Sequence, residues 1–187
     1  MLNHIGTKTL QTERLTLRAF KRQDAEDMFN NWANDDKVTE YLSWPTHQKV
    51  EITQSIVNQW AKESENKESY HWAIVVKENN AVIGSITVVG KSDLHEWAEL
   101  GYCISQEYWG KGITLEAVNC LIKFLMDEVG YNRIQAIHYK INTASGRVMQ
   151  KAGMKYEGLK RQYIKDKHGK FVDVESYAIV KSDLGGD

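Results

Sequence analysis

The sequence predicts one α/β domain spanning residues 1–187, with its core between about residues 9 and 180. Three observations carry that expectation. A chain of 187 residues is enough for one hydrophobic core and short for two. Segments that alternate apolar and polar residues interleave with segments of helical periodicity from end to end. No repeat, low-complexity stretch or Pro/Gly/Ser-rich linker divides them.

Leu15, Leu17 and Ala19 alternate with Thr16 and Arg18, which predicts a half-buried first strand. Asp24 stands where an N-cap belongs, ahead of Ala25, Met28, Phe29 and Trp32 at the spacing of one helix face. After a connection containing Tyr41, Trp44 and the sole proline, Pro45, a second helix carries Val50, Thr53, Ile56, Val57, Trp60 and Ala61. Lys62 to Glu68 is charged and reads as a solvated loop. The β-branched runs Trp72 to Val76 and Ala81 to Val89, joined by Lys77-Glu78-Asn79-Asn80, predict a hairpin, because Asn tolerates the left-handed conformation of tight turns.

Ala98 to Ile104 is a further strand. A long amphipathic helix follows, with Leu115, Val118, Leu121, Ile122, Leu125 and Val129 on one face and Glu116, Asn119 and Lys123 opposite. Arg133 to Tyr139 predicts a strand. Asn142 then caps a helix carrying Ala144, Val148 and Ala152, and Gly153 closes it. Two last strands, Glu157 to Lys165 and Phe171 to Val180, flank the turn Asp166-Lys167-His168-Gly169.

Composition excludes several classes of function. Lys and Arg number 24 against 25 Asp and Glu, so nothing pulls the chain as a whole toward nucleic acid or an anionic membrane. The expected partners therefore include neither. Apolar runs are a few residues long, far below a bilayer span, and Met1 to Leu10 lacks the pattern of a secretory signal. Cys103 and Cys120 have no neighbours at metal-ligand spacing, and no two histidines stand at i, i+4. These features predict a reduced cytoplasmic protein without a metal.

The strand ending at Ile104 runs into Trp109-Gly110-Lys111-Gly112-Ile113-Thr114 and then into a helix. Consecutive backbone N–H groups at a helix start, reached through glycines, suit an anion such as a diphosphate. A plain helix-entry turn would produce the same two glycines. Two phosphate motifs fail here. A Walker A loop needs a Gly where Ser105 stands and Ser or Thr where Gly112 stands, and the dinucleotide fingerprint needs Gly in place of Leu115.

The run Glu99-Leu100-Gly101-Tyr102-Cys103-Ile104 through Tyr108-Trp109-Gly110-Lys111-Gly112-Ile113 resembles motif A of the GNAT superfamily of N-acetyltransferases. It is especially similar to the branch that includes the RimJ and RimL ribosomal-protein N-terminal acetyltransferases. The helix Asn142-Thr143-Ala144-Ser145-Gly146-Arg147-Val148-Met149-Gln150-Lys151-Ala152-Gly153-Met154 resembles that branch's second signature, and Thr12 to Arg18 its opening. Matching elements extend from about Thr9 to Val180 in the expected order.

This resemblance implies a mixed, mostly antiparallel sheet that splays between the strands Ala98 to Ile104 and Arg133 to Tyr139. Acetyl-CoA would be the cosubstrate. Pantetheine would lie in the opening against the backbone of Tyr102 and Ile104, with Asn142 as a second contact beside its capping role. Pyrophosphate would rest on Trp109, Gly110, Lys111, Gly112, Ile113, Thr114 and Leu115. Thr114 departs from the Gly or Ala usual at the end of this loop. Its side chain either narrows the loop or offers a hydroxyl to a phosphate oxygen. Tyr41 and Trp44 fall where the family builds the wall of the acceptor pocket, or else they are simple core.

The acceptor amine must be neutral to attack. At pH 7 a lysine of pKa about 10.4 is roughly 0.04% neutral, and an α-amine of pKa about 7.7–8.0 roughly 10–15%. A general base helps either. Glu99, opposite in phase to Leu100 where the family commonly places a carboxylate, is the candidate. The competing reading is a structural partner for a basic residue or helix end. Many family members protonate the departing thiolate with a tyrosine seven positions after the capping Asn, but here that residue is Met149. Ser145 matches the serine proposed for this role in the RimJ/RimL branch, and its other reading is a first-turn helix residue bonded to backbone. His138, on a core strand, reads as a packed histidine.

Three functions follow as expectations. The first is an acetyltransferase acting on a primary amine, whether a protein N-terminus, a lysine, a polyamine or an antibiotic. The second is a non-catalytic acyl-CoA-binding module, suggested by the missing tyrosine, and the third a nucleotide-binding protein, disfavoured by the failed motifs. Oligomeric state is not legible.

Overall fold

The computed structural model describes residues Met1 to Gly185. Eight strands form one sheet in the order β1-β2-β3-β4-β5-β6-β8-β7. They are β1 (Leu10–Gln11), β2 (Leu15–Ala19), β3 (His71–Val76), β4 (Val82–Ser92), β5 (Trp97–Ile104), β6 (Arg133–Tyr139), β7 (Lys155–Lys165) and β8 (Phe171–Val180). Four α-helices flank it: α1 (Ala25–Met28), α2 (Val50–Glu63), α3 (Ile113–Phe124) and α4 (Thr143–Lys151). All pairings are antiparallel except β5 with β6, which α3 joins as a crossover.

That parallel pairing is short. It runs through Trp97–Arg133, Ala98–Ile134 and Glu99–Gln135 and then ends. Beyond Glu99 the strands part, and β6 offers no backbone partner to Leu100 through Ile104. A bulge in β4 between Val88 and Gly90, opposite Glu99 and Leu100, bends the sheet at the same level. The fork expected between β5 and β6 is therefore present, with Glu99 on its last rung.

Two apolar clusters hold the layers. On one face Ala98, Leu100 and Ile104 of β5 and Ile134 and Ala136 of β6 pack against Ile113, Ala117, Val118, Leu121 and Ile122 of α3. On the other, Ala73, Val75 and Val82 meet Phe20, Met28, Trp32 and Val57 of the segment bearing α1 and α2. Strand alternation thus sends Leu100 toward α3 and Glu99 toward the α1–α2 side.

Some expectations need correction. Asp24 does not cap α1 through its side chain. Its buried carboxylate accepts both guanidinium nitrogens of Arg18, at 2.7 and 2.9 Å, and reaches back to the Lys21 N–H at 2.7 Å. A nearby cation outcompeted the local cap. Of Ala144, Val148 and Ala152, the last two pack on the core as expected and Ala144 does not. Ala144 is exposed, while Gly146 and Met149 (1% exposed) are buried.

Gly146 sets how closely α4 approaches β6. A Cβ added there would lie 2.6 Å from Nε2 of His138. That ring has little freedom, because its Nδ1 lies 2.8 Å from the Tyr139 carbonyl and it stacks on Tyr177 at 5.6 Å. Gly146→Ala should cost about 1–3 kcal/mol of overpacking, a drop of roughly 2–4 °C in Tm per kcal/mol for a domain of this size. Thermal unfolding followed by circular dichroism measures it, and an unchanged Tm would refute the tight packing.

Candidate active site

Glu99 leaves the last paired rung of β5 toward the α1–α2 side. Its Oε2 accepts a 2.7 Å hydrogen bond from Nε2 of Gln135, its partner in register on β6. The Gln135 oxygen in turn accepts from Nε of Arg133 at 3.1 Å, and Arg133 is paired with Glu157 of β7, Nη1 lying 2.7 Å from Oε1. This chain fixes which end of the Gln135 amide faces Glu99. A glutamine with its oxygen on a guanidinium has only its NH₂ to offer the carboxylate. The Glu99 partner is thus a neutral amide rather than the cation or helix end of its structural reading. Arg133, Gln135 and Glu157 were missed in the sequence. The alternation Arg133-x-Gln135 was visible, but the register that brings it to Glu99 was not.

Across the fork, Asn142 caps α4 as expected: its Oδ1 accepts the Ser145 N–H at 3.3 Å. The Tyr102 side chain leaves β5 beyond the last rung and spans to α4, with its hydroxyl 3.0 Å from Ser145 Oγ and 3.2 Å from the Ser145 carbonyl. Burial pushes the Tyr102 phenol up to about 12, against the lowering effect of the Ser145 hydrogen bond, so it stays protonated at neutral pH. Met149, at the place of the missing tyrosine, is core and has no reach into the opening.

The loop after β5 is built to present backbone. Gly110 and Gly112 have φ of 74° and 75°, and α3 starts from Gly112 as a left-handed cap. The first helical bond is Glu116 N–H to the Gly112 carbonyl at 3.1 Å, which leaves the N–H groups of Ile113, Thr114 and Leu115 without helical acceptors. An anion with several oxygens fits that set. A strut steadies it from outside: Arg14 donates through Nη1 to the Lys111 carbonyl at 2.9 Å and through Nε to Glu116 at 2.6 Å. Burial raises the Glu116 carboxyl, but bonds from Thr12 and Arg14 outweigh it and hold the group below the usual carboxylate range. Beside the strut, Glu13, Arg14, Gly112, Leu115, Glu116 and Asn119 line an open surface depression of about 370 Å³.

The other predicted residues divide. The Lys111 ammonium stands 5.3 Å from the Tyr108 ring centre while its carbonyl serves the strut. Trp109 is 47% exposed, and its indole N–H donates to the Ile104 carbonyl at 3.0 Å. That carbonyl already has a protein partner, so among the two backbone positions expected to meet pantetheine Tyr102 is the less encumbered. Tyr41 reaches across to β6, edge-on to Tyr139 at 6.2 Å. Trp44 instead packs on the α1–α2 cluster and against His47 at 5.0 Å. Tyr41 thus stands beside the C-terminal end of β6, and Trp44 beside His47.

Residues 14–155 match the acetyltransferase (GNAT) domain family. The chain is 33% identical over 172 residues to the uncharacterized N-acetyltransferase YoaA of Bacillus subtilis, covering 92% of this chain and 96% of that protein. It is 22% identical over 165 residues to the [ribosomal protein uS5]-alanine N-acetyltransferase of Escherichia coli, covering 83% and 82%. The crystal structure of a GNAT-family acetyltransferase from Bacillus anthracis superimposes with a TM-score of 0.81 at 27% identity, over 94% of this chain and 99% of that one. A fork ending at a carboxylate, a loop of free N–H groups and a family match across most of the length converge: the chain belongs to the GNAT family and is an acetyl-CoA-dependent N-acetyltransferase.

Proposed function

We propose that this enzyme acetylates α-amino groups at polypeptide N-termini, with Glu99 as general base and Ser145 as hydrogen-bond donor to the departing sulfur. The observation that carries the base is the position of Glu99 on the last β5–β6 rung, one oxygen tied by Gln135. The second oxygen is then available to an amine entering from the Tyr41–Tyr139 side. Acetyl-CoA supplies the activated acetyl group. Ile113, Thr114 and Leu115, with Gly110, Lys111, Gly112 and Trp109 before them, would hold its pyrophosphate. The backbone of Tyr102, and more weakly Ile104, would line its pantetheine beside Asn142. The open depression next to Arg14 lies beside this loop, where the nucleotide end would follow.

The α-amine reading draws on the uS5-alanine relative and on the arithmetic of protonation. With Met149 in the core, the site lacks the customary phenol on α4, and a less basic nucleophile eases the deprotonation half of the reaction. Two short peptides test it, one with a free N-terminus and no lysine, the other N-blocked with a single lysine. The first should have the higher kcat/KM. A higher value for the blocked peptide would overturn the reading. Failure of both, with turnover of a polyamine or antibiotic amine, would assign a small-molecule acceptor.

A further inference from the structure

We propose that Tyr102 is a positioning residue for the leaving group: its phenol donates to Ser145 Oγ and so turns the Ser145 hydroxyl hydrogen toward the thioester sulfur. The inference rests on the reading of Ser145 as the donor, and it explains how a serine serves where α4 carries no phenol.

A serine hydroxyl has one hydrogen and rotates freely. Left alone, Ser145 has a nearby resting place for that hydrogen that does no chemistry, the phenol oxygen 3.0 Å away. A donor already bound to Oγ removes it and biases the hydrogen away from β5. At 3.0 Å either hydroxyl can donate to the other, and Tyr102 is placed to be that donor. It stands on β5 beyond the last pairing with β6, so its side chain crosses the fork itself. The backbone N–H of Ser145 is held by Asn142, which fixes the turn from which Oγ projects. Burial keeps the phenol protonated through the working pH range, so its hydrogen is always present to be donated.

The alternative arrangement has Tyr102 donating to the Ser145 carbonyl at 3.2 Å and Ser145 donating to the phenol. It gives the sulfur nothing. When the C–S bond breaks, its electron pair stays on sulfur, and the new thiolate is the strongest acceptor within reach of Ser145. Ser145 then donates to sulfur and Tyr102 to Ser145, an arrangement in which both hydrogens meet acceptors. Tyr102 transfers no proton. The thiolate, as a thiol of pKa about 8.5, takes its proton from solvent.

Two measurements test this, each on Tyr102→Phe, Ser145→Ala and the double variant, with thermal unfolding as the check on folding. In steady-state kinetics with whichever peptide the wild type turns over, or with the polyamine spermidine if it turns over neither peptide, Tyr102→Phe should lower kcat about 10-fold. The KM for acetyl-CoA should stay within about twofold. The double variant should be no slower than Ser145→Ala alone, because the two groups act as one unit.

The second readout needs no acceptor. Ultraviolet absorbance of the bound CoA thiolate, titrated with pH against bound desulfo-CoA as the blank, reports the thiol's ionisation. Removing a hydrogen bond to the charged form raises its pKa, by about one unit here, and Tyr102→Phe should produce this as well as Ser145→Ala. A purely structural Tyr102 would not move that titration. An effect of Ser145→Ala on both readouts with none from Tyr102→Phe overturns this inference alone. If Ser145→Ala is silent, the donor role of Ser145 falls first and this inference falls with it.

Discussion

Glu99→Gln is expected to bind acetyl-CoA as the wild type does and to turn over roughly 10²–10⁴-fold more slowly, the usual worth of a positioned general base. The substitution is nearly isosteric, and the Gln135 NH₂ can still donate to the oxygen of the new amide, so the fork should keep its shape. What disappears is an acceptor for the amine proton. The loss should shrink as pH rises, because solvent then supplies the neutral amine without help. A lysine acceptor should show a larger loss near neutrality than an α-amine, since a far smaller part of it is neutral there. The assay is initial velocity across a pH series, paired with calorimetric titration of acetyl-CoA. Equal turnover of variant and wild type near pH 7 would assign Glu99 to structure.

How much of this was legible in the sequence depends on whether the determinant was local. Strands β6 and β8 begin and end where the alternation places them. The Asn142 cap and the left-handed Gly153 after α4, with φ of 82°, follow from residues a few positions away. The glycine loop was readable for the same reason. Misreadings came where a residue on another element decided. Asp24 has good cap chemistry, yet Arg18 on the preceding strand claims it. Ala144 has the spacing of the buried face, yet α4 seats on β6 and β8 through Gly146 and Met149 and leaves it exposed. The two-residue strand β1 has too little pattern to register. The wide helical turns Phe29–Ala33 and Leu125–Val129 are backbone adjustments that apolar periodicity does not encode. The network behind Glu99 needs the register of a parallel pair, and no spacing within one strand supplies that.

The loop offers the second large effect. Gly112→Val should weaken CoA binding by about 1–3 kcal/mol, roughly 5- to 150-fold, and Gly110→Val should act similarly. Crowding is not the reason. A Cβ on Gly110 would meet nothing within 4 Å, and one on Gly112 only the Arg14 guanidinium at 3.6 Å. The cost lies in the backbone: both residues sit near φ of 75°, a region that a β-branched residue enters only under strain. The strained loop would relax toward negative φ and swing its N–H groups off the pyrophosphate, which loses hydrogen bonds to a charged group. A graded series separates this cause from bulk. Asn tolerates the left-handed region far better than Val, so Gly112→Asn should retain much of the affinity that Gly112→Val loses, although its side chain is similar in size. Calorimetric titration with CoA measures both, and thermal unfolding confirms that the variants are folded. A folded Gly112→Val with wild-type affinity would remove the loop from the site. Equal losses for Asn and Val would replace strain with bulk as the cause and would place ligand atoms directly over the Gly112 α-carbon.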